Sequence, residues 1–597
     1  MAQAATAAER LGVMPEWNLA DLYTDMSAPA IAADLASSAS EAAAMQAELK
    51  GKLATLDATA LAAALARYEK LQDVLGRLSS YAGLLYAADT ADPQRGKFYG
   101  DMQEKLTAIT TDLLFFELEL NRLDDAKLEA LLKEPPLVRF APWVLDLRKE
   151  KPYQLEDKLE QLFHEKSVTS RAAFNRLFNE TMTALRFNVG GEELALEPTL
   201  NRLTDPAEPK RREAAEALAH VFKDNIRLFT LVTNTLAKDK EISDRWRKFP
   251  SVSSARHLAN RVEPEVVEAL VAAVRASYGR IAHRYYAMKA KWLGMDALSH
   301  WDRNAPLPET PDRHMSWAEA RATVLSAYGS FSPRMAKIAE DFFDKRWIDA
   351  PVRPGKAPGA FSHPTVPSAH PYVLLNYMGK PRDVMTLAHE LGHGVHQVLA
   401  NSQGPLLAPT PLTLAETASV FGEMLTFKAM LAQTKDKRER KAMLAQKVED
   451  MINTVVRQIA FYCFEEKVHT ARRQGELTSD DLGRFWLEVQ AESLGPSVKL
   501  REGYDVFWAY IPHFIHSPFY VYAYAFGDCL VNSLYAQYEK AHPGFVDKYF
   551  AMLEAGGSKH HSELLAPFGL DATRPEFWQM GLSVIEGLID EIAALEG

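Results

Sequence analysis

The sequence predicts a mainly helical protein, and three observations carry that expectation. Residues of high helix propensity fill long stretches: Ala30 to Leu65 is rich in Ala, Leu, Glu and Lys, with little β-branching. Apolar side chains recur in steps of mostly three and four, as at Val267, Leu270, Val271, Val274, Tyr278 and Ile281, which sets one stripe on one helix face. Strand signals are few and short.

Along the chain, the helical composition from Ala30 gives way to a first strand signal at Arg186 to Leu196. That segment reads as a hairpin, with Gly190-Gly191 able to supply the positive φ angles of a tight turn. Pro264 precedes the Val267 stripe, where a first helical turn accepts it. Residues 351–371 contain six prolines and two glycines, which predicts a conformationally restricted loop, and Tyr372 to Met378 is a short β-prone run. Helical periodicity returns from Arg438 to Arg473 and from Phe577 to Leu595. A chain of 597 residues exceeds what one core organises. The expected division is an N-terminal helical region, residues 1–200, and a larger region, residues 201–597, that holds the chemistry.

Composition narrows the class. Hydrophobic residues make up 47% and charged residues 25%, the balance of an ordinary globular protein. The formal charge is −11 and no Lys/Arg stripe is visible, which argues against a nucleic-acid partner. Two cysteines, Cys463 and Cys529, cannot staple a chain of this length, and such low use fits a reducing compartment. The opening stretch to Trp17 lacks a basic start and an apolar run of signal-peptide length, and no apolar run is long enough to span a bilayer. The expectation is a cytoplasmic protein without a membrane partner; the oligomeric state is left open.

The segment Thr386-Leu-Ala-His389-Glu390-Leu-Gly-His393 carries the central chemistry. Two histidines four residues apart on a helix share a face, so both imidazoles reach one ion. Zinc suits neutral imidazole, and a catalytic zinc takes three protein ligands. Glu390, beside the first histidine, is placed to accept a proton from water. Position 399 is Leu, so no third histidine follows at a six-residue spacing, and His396 is expected in a supporting or surface position. Downstream, Leu414-Ala-Glu416-Thr-Ala-Ser419-Val-Phe-Gly-Glu423 puts two carboxylates seven residues apart in an apolar stretch. Carboxylates are rarely buried unless paired or bound to metal, so one could ligate zinc while the other orients a ligand. Thr413-x-x-Glu416 also fits a helix capping box, and the residues alone leave the two roles open.

Near the C-terminus, Trp508-Ala-Tyr510-Ile-Pro-His513-Phe-Ile-His516-Ser-Pro518-Phe-Tyr520-Val-Tyr522-Ala-Tyr524 is dense in aromatics with polar tips. Ser517-Pro518 reads as an N-cap and first helical residue, starting a helix with Tyr520 and Tyr524 on one face. On composition alone these rings are better explained by core packing with their polar tips satisfied.

These motifs resemble the oligoendopeptidase F branch of the thimet-oligopeptidase-like zinc peptidases. The resemblance covers HELGH at 389–393, AETASVFGE at 415–423, the approach from Asn376 to His389, the loop Gly355-Lys-Ala-Pro-Gly359-Ala-Phe361, and the opening Glu16-Trp17-Asn18-Leu19 through Tyr23. It implies a mainly α metallopeptidase with a deep substrate channel and a small β element near the zinc helix. It also implies one Zn²⁺ per chain, held by His389, His393 and Glu416, with Glu423 as support and Glu390 as base. By the same resemblance His513 and Tyr520 stabilise the oxyanion; Gly359 and Tyr524 are the expected substrate-binding residues, with the exact roles of Tyr522, Tyr524 and His516 left open. Residues 355–361 and the run near Tyr372 are expected to hold substrate backbone, since an extended peptide adds to a strand edge. The implied activity is cleavage of internal bonds in short peptides. Two rivals are a related zinc carboxypeptidase or dipeptidase and a non-catalytic helical peptide-binding protein, which would have no use for Glu390.

Overall fold

Helix starts in this chain are marked by proline and by short acceptor side chains. Pro29, Pro93, Pro264, Pro333, Pro381 and Pro575 each sit in a first turn, where a missing N–H costs nothing. Asp57, Asp92, Asp124, Ser316, Asp436 and Thr478 each accept a backbone N–H at a helix start. A computed structural model describes residues 11–596 apart from 168 and 309–313, and these are mainly helical, as predicted. Residues 1–10, part of the opening stretch weighed for targeting, lie outside them.

The predicted stretches are helical with breaks. Ala30 to Leu65 is split into Pro29–Leu49 and Ala58–Ala88, with Gly51 at φ 78° in the gap. The Val267 stripe lies on Pro264–Ser277, burying Val266, Val267, Leu270, Ala273 and Val274, and the chain continues through a π-turn into Arg284–Trp292. Arg438 to Arg473 forms Lys437–Thr454 and Val456–Arg472, and the last stripe is Pro575–Ala594.

The strands are β1 (Phe187–Val189), β2 (Glu192–Leu194), β3 (Leu298–Ser299), β4 (Ile348–Pro351), β5 (Phe361–His363), β6 (Tyr372–Tyr377) and β7 (Val498–Lys499). β1 and β2 form the expected antiparallel hairpin, with Gly190 and Gly191 at φ 63° and 81° in its turn. β3 and β7 make a short parallel pair. The third sheet has the order β4-β6-β5, with β4 parallel and β5 antiparallel to β6. The proline-rich segment is thus a loop that carries one short strand, β5.

Two compact units are each assembled from separated stretches of chain: 1–151 with 312–433 and 537–569, and 152–311 with 434–536 and 570–597. In the first unit, helix Pro381–Ala400 is packed against helix Ser419–Gln433, helix Pro333–Asp344, helix Phe545–Glu554 and strands β5 and β6. In the second, helices Val456–Arg472 and Ser479–Leu494 pack together around Trp486, Phe461 and Phe464. Cys463 and Cys529, both in the second unit, are unpaired, and Cys529 is buried. Among the described residues no helix is long and apolar enough to cross a membrane.

Candidate active site

Helix Pro381–Ala400 presents the HExxH residues because its start and its buried face are both fixed. Asp383 accepts the backbone N–H groups of Met378 and Lys380 at 2.9 and 3.0 Å, which caps the first turn directly after β6. Leu387, Ala388, Leu391 and Val395 are buried, leaving His389 and His393, one turn apart, on the partly exposed face. Gly392 lets the neighbouring chain come close: a Cβ there would run into the Ala418 carbonyl and Ser419 Cα. That approach brings Glu416 to the imidazoles.

The three expected ligands converge. His389 Nε2 lies 3.3 Å and His393 Nε2 3.4 Å from Glu416 Oε2, and all three donor atoms lie within 4.8 Å of one another. Tetrahedral ligands about 2.1 Å from zinc stand about 3.4 Å apart, so the donor set fits that ion in both chemistry and spacing. On the other side of its ring, His389 Nδ1 is 3.1 Å from Glu423 Oε2. Ser419, unassigned from sequence, donates its hydroxyl to Glu416 Oε2 at 2.6 Å. The same rule that flagged Glu416 applies to it: a polar side chain one turn on in an apolar stretch needs a partner.

Charge balance within the group is strong. Burial pushes the Glu416 carboxyl up, but the hydrogen bond from His389 and the charge of both imidazoles outweigh it and bring it to about 2. Burial lowers His389, yet its hydrogen bonds to Glu416 and Glu423 carry it well above the ordinary imidazole value. Burial holds His393 down at about 4. Glu390 is 8% exposed, and burial raises it to about 7 while the Ser362 backbone hydrogen-bonds to it.

Two expectations about this segment need correction. Glu416 and Glu423 do not share one helix: Leu412–Ala415 ends at Glu416, and a new helix, Ser419–Gln433, begins after a turn. The bend, rather than helical periodicity, lets the carboxylates reach opposite nitrogens of His389. The capping box is also not formed, since Pro411 takes the N-cap position and Thr413 lies inside the short helix. Of the supporting and surface positions expected for His396 the structure shows the buried one, with Nε2 3.4 Å from Thr410 Oγ1.

β6 is paired on both sides, so Tyr372–Tyr377 has no free edge, and β5 is an outer strand of the sheet, with the Ser362 backbone beside Glu390. Ser362 on β5 is tied to the HExxH helix by two hydrogen bonds with Gln397, 2.8 Å from its hydroxyl and 3.3 Å to its carbonyl. Gly359 lies in the exposed loop ahead of β5 at φ 79°, and its carbonyl accepts Asn376 Nδ2 at 2.9 Å. Lys356, buried beneath this loop, donates to Asp349 Oδ1 at 2.7 Å and to the Pro351 carbonyl at 2.8 Å. The Ser362–Gln397 pair has no local sequence signal, because it joins segments 35 residues apart.

In the second unit the aromatic segment folds as helix Pro512–His516, a turn, and helix Tyr522–Glu539. The expected helix start at Ser517-Pro518 is absent. Phe519 takes φ 61°, outside the right-handed region, so Tyr520 lies on the turn. His513, Tyr520 and Tyr524 still come together. His513 Nε2 is 3.2 Å from the Tyr524 hydroxyl, and the Tyr520 ring centroid lies 6.1 Å from that of His513 and 5.2 Å from that of Tyr524. Burial, with Arg457 and His516 nearby, lowers the His513 pKa. Tyr522 is a core residue: it is fully buried, its hydroxyl accepts Asn260 Nδ2 at 2.9 Å and lies 3.1 Å from His257 Nδ1. His516 is held by Asn179 at 2.8 Å and through its carbonyl by Arg171 at 2.7 Å.

Comparison with known proteins meets this geometry from another side. The family described as Peptidase family M3 matches residues 203–584, and the one described as Oligopeptidase F matches residues 119–187. The chain is 28% identical over 560 residues to oligopeptidase PepF of Bacillus subtilis, covering 92% of this chain and 82% of that protein. It is 26% identical over 535 residues to an oligoendopeptidase F homolog of Borreliella burgdorferi, covering 88% and 90%. The crystal structure of oligoendopeptidase-F from Enterococcus faecium superposes with a TM-score of 0.70 at 22% identity, over 95% of this chain and 97% of that one. PZ peptidase A superposes with a TM-score of 0.72 at 16% identity, over 94% and 97%. At these identities the structural likeness speaks for the fold.

Proposed function

This chain belongs to peptidase family M3 as a metallopeptidase of the oligoendopeptidase F type, and from that premise we propose that it is a cytoplasmic, zinc-dependent endopeptidase of short oligopeptides. The supporting observation is the convergence of His389 Nε2, His393 Nε2 and Glu416 Oε2 beside a buried Glu390. In this reading these three side chains hold one Zn²⁺, and the sequence from residue 201 onward is the catalytic region, preceded by an N-terminal helical region.

Bound there, zinc supplies Lewis acidity, which lowers the pKa of a water and polarises the scissile carbonyl. The chain's own groups do the rest. A carboxylate oxygen of Glu390 accepts one proton of the water as its oxygen bonds to the carbonyl carbon. The same proton then passes to the amide nitrogen, the C–N bond breaks, and an acid and an amine leave. Glu423 fixes the His389 tautomer by accepting from Nδ1, which leaves Nε2 as the donor to metal. His513 Nε2 and the Tyr520 hydroxyl are the donors assigned to the oxyanion, and Tyr524 orients His513. The β5 edge and the Gly359 loop take substrate backbone.

Internally quenched peptides blocked at both ends, incubated with and without chelator and with zinc counted per chain, test this reading. Chelator-sensitive cleavage with one zinc per chain is expected. Cleavage only of peptides with a free C-terminus would replace it with a carboxypeptidase, and unbroken peptides with bound metal would replace it with a binding protein.

A further inference from the structure

One buried acid in the second unit is not used by the chemistry above. Glu465, on helix Val456–Arg472, is 1% exposed. Its Oε1 accepts the Phe519 backbone N–H at 2.8 Å. Its Oε2 is buried with no hydrogen-bond partner, and Glu465 borders a cavity of about 20 Å³ together with Trp508 and His469. A carboxyl at that depth is uncommon without a cation nearby, and the charges of Arg256 and Lys240 act on this one. Burial raises its pKa to about 8, against the Phe519 amide and those two charges, which favour the carboxylate.

The partner of this acid is the more informative half. Phe519 is a bulky residue at φ 61°, a conformation that persists only where its surroundings over-determine it. Its ring is fully buried, 5.8 Å from the Tyr462 ring and 5.0 Å from that of His469. The residues on either side are fixed as well. Arg256 Nε donates to the Pro518 carbonyl at 3.2 Å, and its guanidinium lies 5.8 Å from the centre of the Tyr520 ring. A left-handed residue directly before Tyr520 sets the direction in which that side chain leaves the backbone.

We infer that Glu465 is a positioning residue for Tyr520: by accepting the Phe519 N–H it holds the left-handed turn from which the phenol is presented. The inference rests on the oxyanion role proposed for Tyr520. Helix Val456–Arg472 thereby acts on Tyr520 through the backbone amide of Phe519.

The test is a pair of Glu465 variants in two backgrounds. Glu465→Met removes the acceptor at similar length, and Glu465→Gln keeps it. Each is made with Tyr520 intact and with Tyr520→Phe, and kcat and KM are measured on an end-blocked peptide with metal content and Tm recorded. Glu465→Met is expected to lower kcat about 10–100-fold, the scale of an ångström-level misplacement, with KM and metal content unchanged. Glu465→Gln should restore it, and in the Tyr520→Phe background Glu465→Met should cost nothing further. Equal losses in both backgrounds, or a Gln variant as poor as Met, would overturn the inference. If Tyr520→Phe alone leaves kcat unchanged, the oxyanion assignment fails instead. Should the Met variant not fold, amide exchange in the unaltered protein decides together with the Gln variant. A Phe519 amide as protected as the helix interiors supports the anchor, and rapid exchange sinks it.

Discussion

Glu423 Oε2 lies 3.1 Å from His389 Nδ1, on the side of the ring opposite the nitrogen that faces Glu416. With the proposed zinc bound, a carboxylate there would fix the tautomer and rotation of the imidazole and direct Nε2 to the point that Glu416 and His393 also face. The two acids thus reach opposite nitrogens of one histidine, and the bend at residues 416–418 separates them in space.

The first prediction follows from that separation. Glu423→Ala should weaken zinc affinity about 10–100-fold, the usual scale for an outer partner of a ligating histidine. Glu416→Ala removes a ligand outright and should lose more. Competition titration with a zinc chromophore ranks the two, and a Glu423→Ala protein that binds zinc more weakly than Glu416→Ala would exchange their assignments.

The base is tested without touching the ligands. Glu390→Gln preserves shape and the hydrogen bond from the Ser362 backbone, yet cannot accept a proton. It should hold one zinc per chain and lose about 10²–10⁴ in kcat. Near-normal turnover in a variant shown to contain zinc would remove Glu390 from the mechanism.

Gly392 offers a prediction about packing. The Ala418 carbonyl and Ser419 Cα occupy the space a methyl would need, and both belong to the turn that carries Glu416. Gly392→Ala should therefore destabilise the fold by about 1–3 kcal/mol, the common cost of overpacking, and should weaken metal binding in the same step. An unchanged Tm with full zinc occupancy would show that the crossing is looser than the structure implies.

Tyr520 and Tyr522, two residues apart, are candidates with opposite expectations. Tyr522 has its hydroxyl buried against Asn260 and His257, so Tyr522→Phe strands buried polar partners and should cost about 1–3 kcal/mol in stability with kcat little changed. Tyr520→Phe should instead lower kcat about 10²–10³-fold and leave Tm in place. A thermal melt beside a kcat measurement on both variants separates them, and a reversed pattern would return Tyr520 to the core.

The sequence was most legible where spacing does the work. His389, Glu390 and His393 follow from helix periodicity, and the hairpin follows from Gly190-Gly191 with alternating neighbours. It was least legible at turns. Nothing in Ser517-Pro518-Phe519 announces a left-handed phenylalanine, because that conformation is imposed by Glu465 and Arg256 from elsewhere in the second unit. The Glu416 bend was missed for a similar reason: an apolar run with two acids seven apart looks like one helix until Gly392 and Ala418 bring the chains together. The β6 edge was misjudged because pairing partners are not local; its neighbours β4 and β5 are set by sheet order, which periodicity does not encode.

The last prediction concerns substrate length, and it starts from the size of the open edge. In the proposed reading an extended peptide laid along β5, Phe361–His363, gains backbone hydrogen bonds over at most that span, and fewer where the Ser362 carbonyl already accepts from Gln397. Each further residue still loses conformational freedom on being ordered, while its contacts decline once it passes the Gly359 loop. The gain in kcat/KM with length should therefore be steep over the first few residues and then stop. In the enclosed channel that the oligopeptidase resemblance implies, longer chains should fall back again, and folded proteins should not be cut. Blocked peptides graded from a few residues to several tens, with denatured casein as the long limit, measure this directly. A rise, a maximum and a decline are expected. Efficient casein digestion with no decline would mean that the β5 edge lies in an open cleft and that length is limited by nothing in the site.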